Sequence, residues 1–390
     1  MTMNFEVTEE QKAIREGVAA VAKQFDDHYW GRKEAEESFP FEFHRAMAEG
    51  GWLGITMPEE YGGAGLGVTE ASIMMNEVAR HGGGSAAIST IHINLFGPHP
   101  IVVFGNSDQK SEWIPRLVSG KDQVCFGVTE PDAGLDTTRI KTFARKVDGG
   151  YIINGRKLWT STAQVATKIL ILARTTPIEE CRKPTDGMTI FYTDLDRSKI
   201  EVRKIPKMGR AAVDSNATFI DEYFVPDAHR IGEEGKGFSY LLHSLNPERI
   251  LVAAEAIGMG HDALGRAARY ATERVVFGRQ IGQNQGIQHP LAESWIELEA
   301  ADAITMKAAW LYDAGMSCGA EANAAKFLAA RAAFTACERA VLTHGGLGYS
   351  KEYQVERLMR EVMVFRIAPV TEQLILSFVA EKVLGQKKSY

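Results

Sequence analysis

The chain has 390 residues, 45% hydrophobic and 24% charged, and 44 basic against 50 acidic side chains leave a formal net charge of −6. This is the composition of a globular protein too long for one core, so two or three packed regions are expected, and disorder, a collagen-like repeat and a cysteine-stapled scaffold are excluded. A mildly acidic balance gives no electrostatic reason to bind nucleic acid or an anionic membrane surface.

Residues 1–122 read as helical. The start, residues 1–10, carries Glu9 and Glu10 and lacks the basic-then-apolar pattern of a secretion leader. Thr8 with Gln11 predicts a capping box, and Ile14, Val18, Val21 and Phe25 follow at helical spacing. Residues 58–67 (PEEYGGAGLG) predict a turn-rich break, and residues 69–80 a second helix. From residue 124 to 231 short β-rich runs alternate with turn signals. The runs are 141–147, 151–153, 168–173, 188–193, 200–205 and 219–225; Asp148-Gly149-Gly150 predicts a turn and Asn154-Gly155 a hairpin. From residue 237 to 384 the pattern is helical again, with runs over 253–272, 288–318 and 320–344, then Gly345-Gly346-Leu347-Gly348 before a final helix. Within Asn246-Pro247-Glu248-Arg249 either Pro247 starts a helix capped by Asn246, or it kinks a longer one. No run of 18 apolar residues occurs, so no membrane span is expected. Helices, sheet, helices in that order predict an α+β fold: an N-terminal helical domain over 1–122, a middle antiparallel β domain over 123–232 and a C-terminal helical domain over 233–390.

Several chemistries are absent as motifs. The glycine cluster Gly62 to Gly67 fails the G-x-G-x-x-G spacing and follows no strand. There is no P-loop, no G-x-S-x-G and no HExxH. Cys125, Cys181, Cys318 and Cys337 form no CxxC, so no metal site is expected, and four reduced thiols suit a cytoplasmic location. His92, His99 and His289 read as polar pocket or capping residues.

Three segments remain: 128–138 (VTEPDAGLDTT), 157–161 (KLWTS) and 274–278 (RVVFG). In this order, with the GGLGY segment and the helix–sheet–helix sequence, they resemble the acyl-CoA dehydrogenase family of flavoproteins over nearly the whole chain. The resemblance implies that family's fold, with a four-helix-bundle-like C-terminal domain. It implies FAD and an acyl-CoA substrate meeting between the β domain and the helical domains, a homotetramer, and an electron-transfer flavoprotein as acceptor. Residue by residue it implies a flavin wall of Phe126, Val128, Thr129, Trp159 and Ser161. Arg274, Phe277 and Gln285 would reach the ADP half of FAD in a neighbouring subunit, with Gly345 and Gly346 at the pyrophosphate and Thr371 and Gln373 near the adenosine half. A flat apolar cofactor with a polar rim suits aromatic packing and a few aimed donors.

Three positions depart from the family. Leu135 stands where many relatives have Ser on the CoA side, and Leu342 where a Gln is frequent. Pro369, after Ala368, stands where many relatives carry the catalytic Glu. The isovaleryl- and long-chain subset instead holds its Glu on an earlier helix before an Arg, and Glu248-Arg249 matches that place. The resemblance thus implies α,β-dehydrogenation of an acyl-CoA to a trans-2-enoyl-CoA, with Glu248 removing the α-proton, Glu372 as the next candidate, and Leu135, Arg249, Ala368 and Pro369 on the substrate side. Two alternatives stay open: altered chemistry on an acyl-CoA, such as oxidase or elimination activity, and a catalytically silent flavin-binding subunit.

Overall fold

The structure, a computed structural model, describes residues 6–389. The expected leaderless start therefore falls in part, at residues 1–5, outside the described residues. Seven helices come first: α1 (Glu9–Ala22), α2 (Asp27–Glu36), α3 (Phe41–Glu49), α4 (Val68–Ala79), α5 (Gly84–Phe96), α6 (His99–Phe104) and α7 (Ser107–Val118). Thr8 and Gln11 form the expected capping box at α1, and Ile14 and Val18 are buried.

Eight strands follow: β1 (Val124–Gly127), β2 (Phe143–Val147), β3 (Gly150–Ser161), β4 (Lys168–Arg174), β5 (Met188–Asp194), β6 (Ile200–Lys204), β7 (Ser215–Pro226) and β8 (Arg230–Ile231). They make one sheet in the order β6-β7-β3-β2-β4-β5-β8, with β1 on β4. Pairing is antiparallel except where β1 and β2 meet β4 in parallel. Every residue of β4 is buried, as a central strand requires. The β2–β3 hairpin turns at Asp148-Gly149, where Gly149 has φ 72°. Asn154-Gly155 is not the expected hairpin. It lies inside β3 at a register shift, where a Cβ on Gly155 would stand 2.7 Å from the Thr142 Cα, and Asn154 donates through Nδ2 to Glu222 of β7.

The C-terminal helices are α8 (Gly237–Glu273), α9 (Gln285–Asp313), α10 (Gly319–His344), α11 (Val355–Val362), α12 (Val364–Ile367) and α13 (Glu372–Phe378). Pro247 sits inside the 37-residue α8, so it interrupts a long helix rather than starting one. One hydrophobic core joins the two helical regions, running from Val18, Phe43, Met75 and Ile88 to Ile257, Met259 and Ala333. A second core fastens α7 to the sheet and the start of α8, through Trp113, Leu117, Leu170, Tyr192 and Leu241.

Two helical stretches, Gly84–Phe104 and Val355–Val383, are long and apolar enough to cross a membrane by length and mean composition, although neither is an unbroken apolar run. The first is 67% buried within the protein. The second is broken after Ile367 and carries the Arg357–Glu361 and Arg366–Glu372 ion pairs. The first is thus a core helix by packing, while the second is 28% buried.

Candidate active site

Glu248 is 8% exposed on the inner face of α8. Burial pushes its carboxyl from 4.5 up to about 7, against the pull of His92 and Arg249. Glu255, two turns on, is also buried and meets His92 Nδ1 of α5 at 2.5 Å. Burial alone would lower the His92 pKa, but Glu255 more than offsets this and the ring stands raised. The His92 ring packs on Phe96 at 5.1 Å, and Phe96 on Phe126 of β1 at 5.4 Å. A chain of contacts thus runs from the base region of α8 across α5 to the expected flavin wall.

Two polar atoms flank the base without a hydrogen-bond partner among the described residues: Ser244 Oγ, one turn before it, and Arg249 Nε, beside it. Buried groups of this kind are normally satisfied, and a polar ligand would satisfy them here. Ser244 and Pro247 also line a cavity of about 160 Å³ with Leu95, Phe96, Val102 and Leu251. The cavity opens beside Glu248, which is not among its lining residues.

The other base candidate, Glu372, is engaged elsewhere. Arg366 Nε donates to it at 2.7 Å and Arg331 at 3.3 Å, and the Arg366 hydrogen bond first holds its carboxyl below the ordinary value. Ala368 is exposed and Pro369 half-buried. The neighbouring Val370 carbonyl accepts from buried Lys326 at 2.6 Å, which anchors this turn to α10.

On the sheet side the two signature segments are tied together. Leu158 N donates to the Thr129 carbonyl at 2.8 Å. Lys157 is fully buried, and its Nζ donates to Glu130 (2.8 Å) and to the Leu172 (2.7 Å) and Val128 (3.2 Å) carbonyls. Glu130 also accepts from Lys141 N and Thr142 N, which closes the loop. A register shift between Lys157 and Thr160 turns Trp159 outward at φ 61°, 53% exposed. Phe126, Val128, Thr129 and Ser161 are half-buried, Thr160 Oγ1 has no hydrogen-bond partner among the described residues, and Leu135 is exposed on the loop. An exposed indole beside half-buried apolar and hydroxyl side chains fits the flat, polar-rimmed isoalloxazine.

A larger cavity, about 620 Å³, lies at the far end of α8, lined by Tyr270, Arg274, Phe277, Asn284, Gly345 and Gly346 among others. Four expected residues are therefore together. Phe277 sits at φ 54° in the tight ribbon between Val276 and Arg279, with its ring wholly exposed. Gly345 caps α10 at φ 61°, a conformation that suits glycine, and a Cβ at Gly346 would meet open space. Gln285 opens α9 next to Asn284 and is exposed. Thr371 instead caps α13, accepting from Leu374 N, and with exposed Gln373 is not on this cavity's wall.

The expected site residues did not include Glu130, Lys157, Glu255 or Arg210, and His92 was read as a pocket or capping residue. Glu130 and Lys157 lie inside the two signature segments, so position alone pointed to them. Arg210 and Glu255 had no local signal, since their partners come from distant elements.

Comparison with known proteins agrees with this arrangement. Residues 8–121, 125–223 and 235–384 match the family models described as acyl-CoA dehydrogenase N-terminal, middle and C-terminal domains. The chain is 36% identical to the acyl-CoA dehydrogenase fadE12 of Mycobacterium bovis, covering 99% of each chain. It is 35% identical to an acyl-CoA dehydrogenase of Bacillus subtilis, covering 97% of this chain and 99% of that one. The solved butyryl-CoA dehydrogenase from Megasphaera elsdenii superposes with a TM-score of 0.92 at 28% identity, over 98% of this chain and 100% of that one.

Proposed function

The chain belongs to the acyl-CoA dehydrogenase family, a family of FAD-dependent oxidoreductases, and we propose that it converts an acyl-CoA to its trans-2-enoyl-CoA with Glu248 as the base. The observation that carries this is the buried Glu248 carboxyl, with its pKa raised to about 7, linked through His92 and Phe96 to the Phe126 wall. A carboxylate of ordinary basicity is a poor match for a thioester α-proton, and desolvation improves the match. Bound FAD supplies the acceptor for the hydride equivalent that leaves the β-carbon. This chain's own part is to hold the isoalloxazine on Trp159, Phe126 and Ser161, to take the α-proton on the Glu248 carboxylate, and to keep water from it. Arg249 and Ser244 offer donors to the polar part of the substrate.

Glu248→Gln tests the assignment. The holoenzyme should keep its FAD and lose about 10²–10⁴-fold in the rate at which an acyl-CoA bleaches the flavin anaerobically. Near-normal bleaching would remove Glu248 from the role.

Pro369 has no N–H to offer a thioester oxygen and Leu135 offers no hydroxyl on the CoA side, and these two positions favour oxidase or elimination chemistry. Oxygen uptake without an added acceptor separates that reading. We further propose a homotetramer, in which Arg274 and Phe277 reach a neighbour's FAD, with an electron-transfer flavoprotein as acceptor. The wholly exposed Phe277 ring supports the assembly. Four free thiols, three of them buried, support a cytoplasmic setting.

A further inference from the structure

The inner face of α5 presents Ser89, His92 and Phe96 at helical spacing, and each meets a different element. Phe96 touches the Phe126 wall, His92 meets Glu255 of α8, and Ser89 Oγ accepts from Arg210 Nη1 at 2.9 Å. Facing it, α8 presents Glu248, Val252 and Glu255, all buried. If Glu248 is the base, the acyl chain leaves the thioester between these two faces. Its far end then meets groups that an unsubstituted alkyl chain cannot use.

Arg210 comes from the loop between β6 and β7, at φ 60°. Its side-chain partners are three serine hydroxyls: Ser89, Ser215 at 2.9 Å and Ser161 at 3.3 Å. It makes no ion pair among the described residues, and burial lowers its pKa. Glu361, Asp214 and Glu255 act on it from further off against that shift, and a guanidinium with five N–H groups and three serine partners keeps donors for an oxygen acceptor. The neighbouring His92–Glu255 pair is closed on itself at 2.5 Å. Methylenes pressed against either would leave charged groups desolvated with nothing in return.

We propose that the acyl slot ends in a polar receptor, Arg210 with Ser89 beside His92 with Glu255, which selects medium-length acyl groups bearing an oxygen function near the chain end. This rests on the dehydrogenase reading above and names its substrate class. The length follows from α8: Glu248 to Glu255 is seven residues, about 10 Å along the axis.

The test uses the FAD-loaded protein and three acyl-CoAs of equal length, hexanoyl-CoA, 6-hydroxyhexanoyl-CoA and adipoyl-CoA, with butyryl-CoA and palmitoyl-CoA beside them. Anaerobic flavin bleaching and kcat/KM are measured for each. One or both oxygen-bearing substrates should exceed hexanoyl-CoA by about tenfold or more, as a site built for a polar group discriminates against its apolar analogue. The hydroxyl and carboxylate arms tell a neutral ligand from an anionic one. Arg210→Met should bring that ratio toward one, and the double change His92→Leu with Glu255→Leu should shift preference to hexanoyl-CoA. If neither variant folds, the wild-type ratio still decides. Equal or better oxidation of hexanoyl-CoA overturns the receptor and leaves the dehydrogenase reading standing, as does bleaching confined to butyryl-CoA or to long unsubstituted chains. No bleaching by any acyl-CoA overturns the dehydrogenase reading and the receptor with it.

Discussion

Glu248 is desolvated by its place on α8, and the consequence is a pH dependence with a definite sign. Its pKa is raised to about 7, so the carboxylate needed to take a proton is lost as pH falls through that value. kcat/KM should decline about tenfold per unit below pH 7, a limb that Glu248→Gln removes with the activity. The same shift acts on stability in the opposite direction. A carboxyl whose folded pKa exceeds its unfolded 4.5 contributes stability below 4.5 and loses it as pH rises through about 7. Glu248→Gln should therefore melt higher than wild type at pH 8 and show little difference at pH 4.5. Glu372 illustrates the contrast. Held by Arg366 and Arg331 with its pKa lowered, it contributes stability above the ordinary carboxylate range, lost as pH falls through its folded value. Glu372→Gln should leave turnover within a few-fold and cost about 1–3 kcal/mol at pH 7, read from a denaturant midpoint.

Two elements owe their usefulness to anchors far away in sequence. Helix α5 carries Ser89, His92 and Phe96, and its first turn is clamped by α11. Buried Glu361 accepts from Ser85 N at 2.7 Å, while Arg357 pairs with Glu361 and donates to the Gly82 and Gly83 carbonyls. Removing one side leaves a buried charge, so Arg357→Ala should cost about 3–5 kcal/mol by denaturant unfolding. If the protein still folds, FAD retention should weaken as α5 shifts against Phe126. Strand β3 is the second case. Its register shifts at Asn154-Gly155 and again before Thr160 are set by pairing with β7, and the later one turns Trp159 out of the sheet.

At the scale of the whole molecule, the two helical regions share one core although the β region separates them in sequence. The proposed acyl slot lies beside that core, and cooperative loss of both on unfolding is expected. The C-terminal helices leave Trp295, Ile296 and Leu342 exposed, at 54%, 61% and 71%, and the ribbon between α8 and α9 leaves Phe277 at 102%. Large apolar side chains presented in this way mark an association surface. The protein should elute from a light-scattering-coupled column at four times its chain mass, and Phe277→Asp should lower both that mass and the FAD content. A monomer retaining full FAD would overturn the shared-site arrangement.

The sequence by itself determined what depends on near neighbours. The Thr8–Gln11 box and the Asp148-Gly149 turn involve residues a few positions apart, so local chemistry suffices, and the helix–sheet–helix order follows from the local period of each run. The three signature segments were legible for the same reason, and with them the family and its cofactor. Asn154-Gly155 misled because its turn chemistry is also local, whereas strand pairing across Thr142 and β7 overrode it. Only the tertiary structure decided the environment of each group. His92 and Glu255 are 163 residues apart, and Arg210 and Ser89 are 121 apart. Whether a carboxylate is a base, a clamp or a surface acid follows from burial and the partners that burial forces on it, and those are properties of the packed chain.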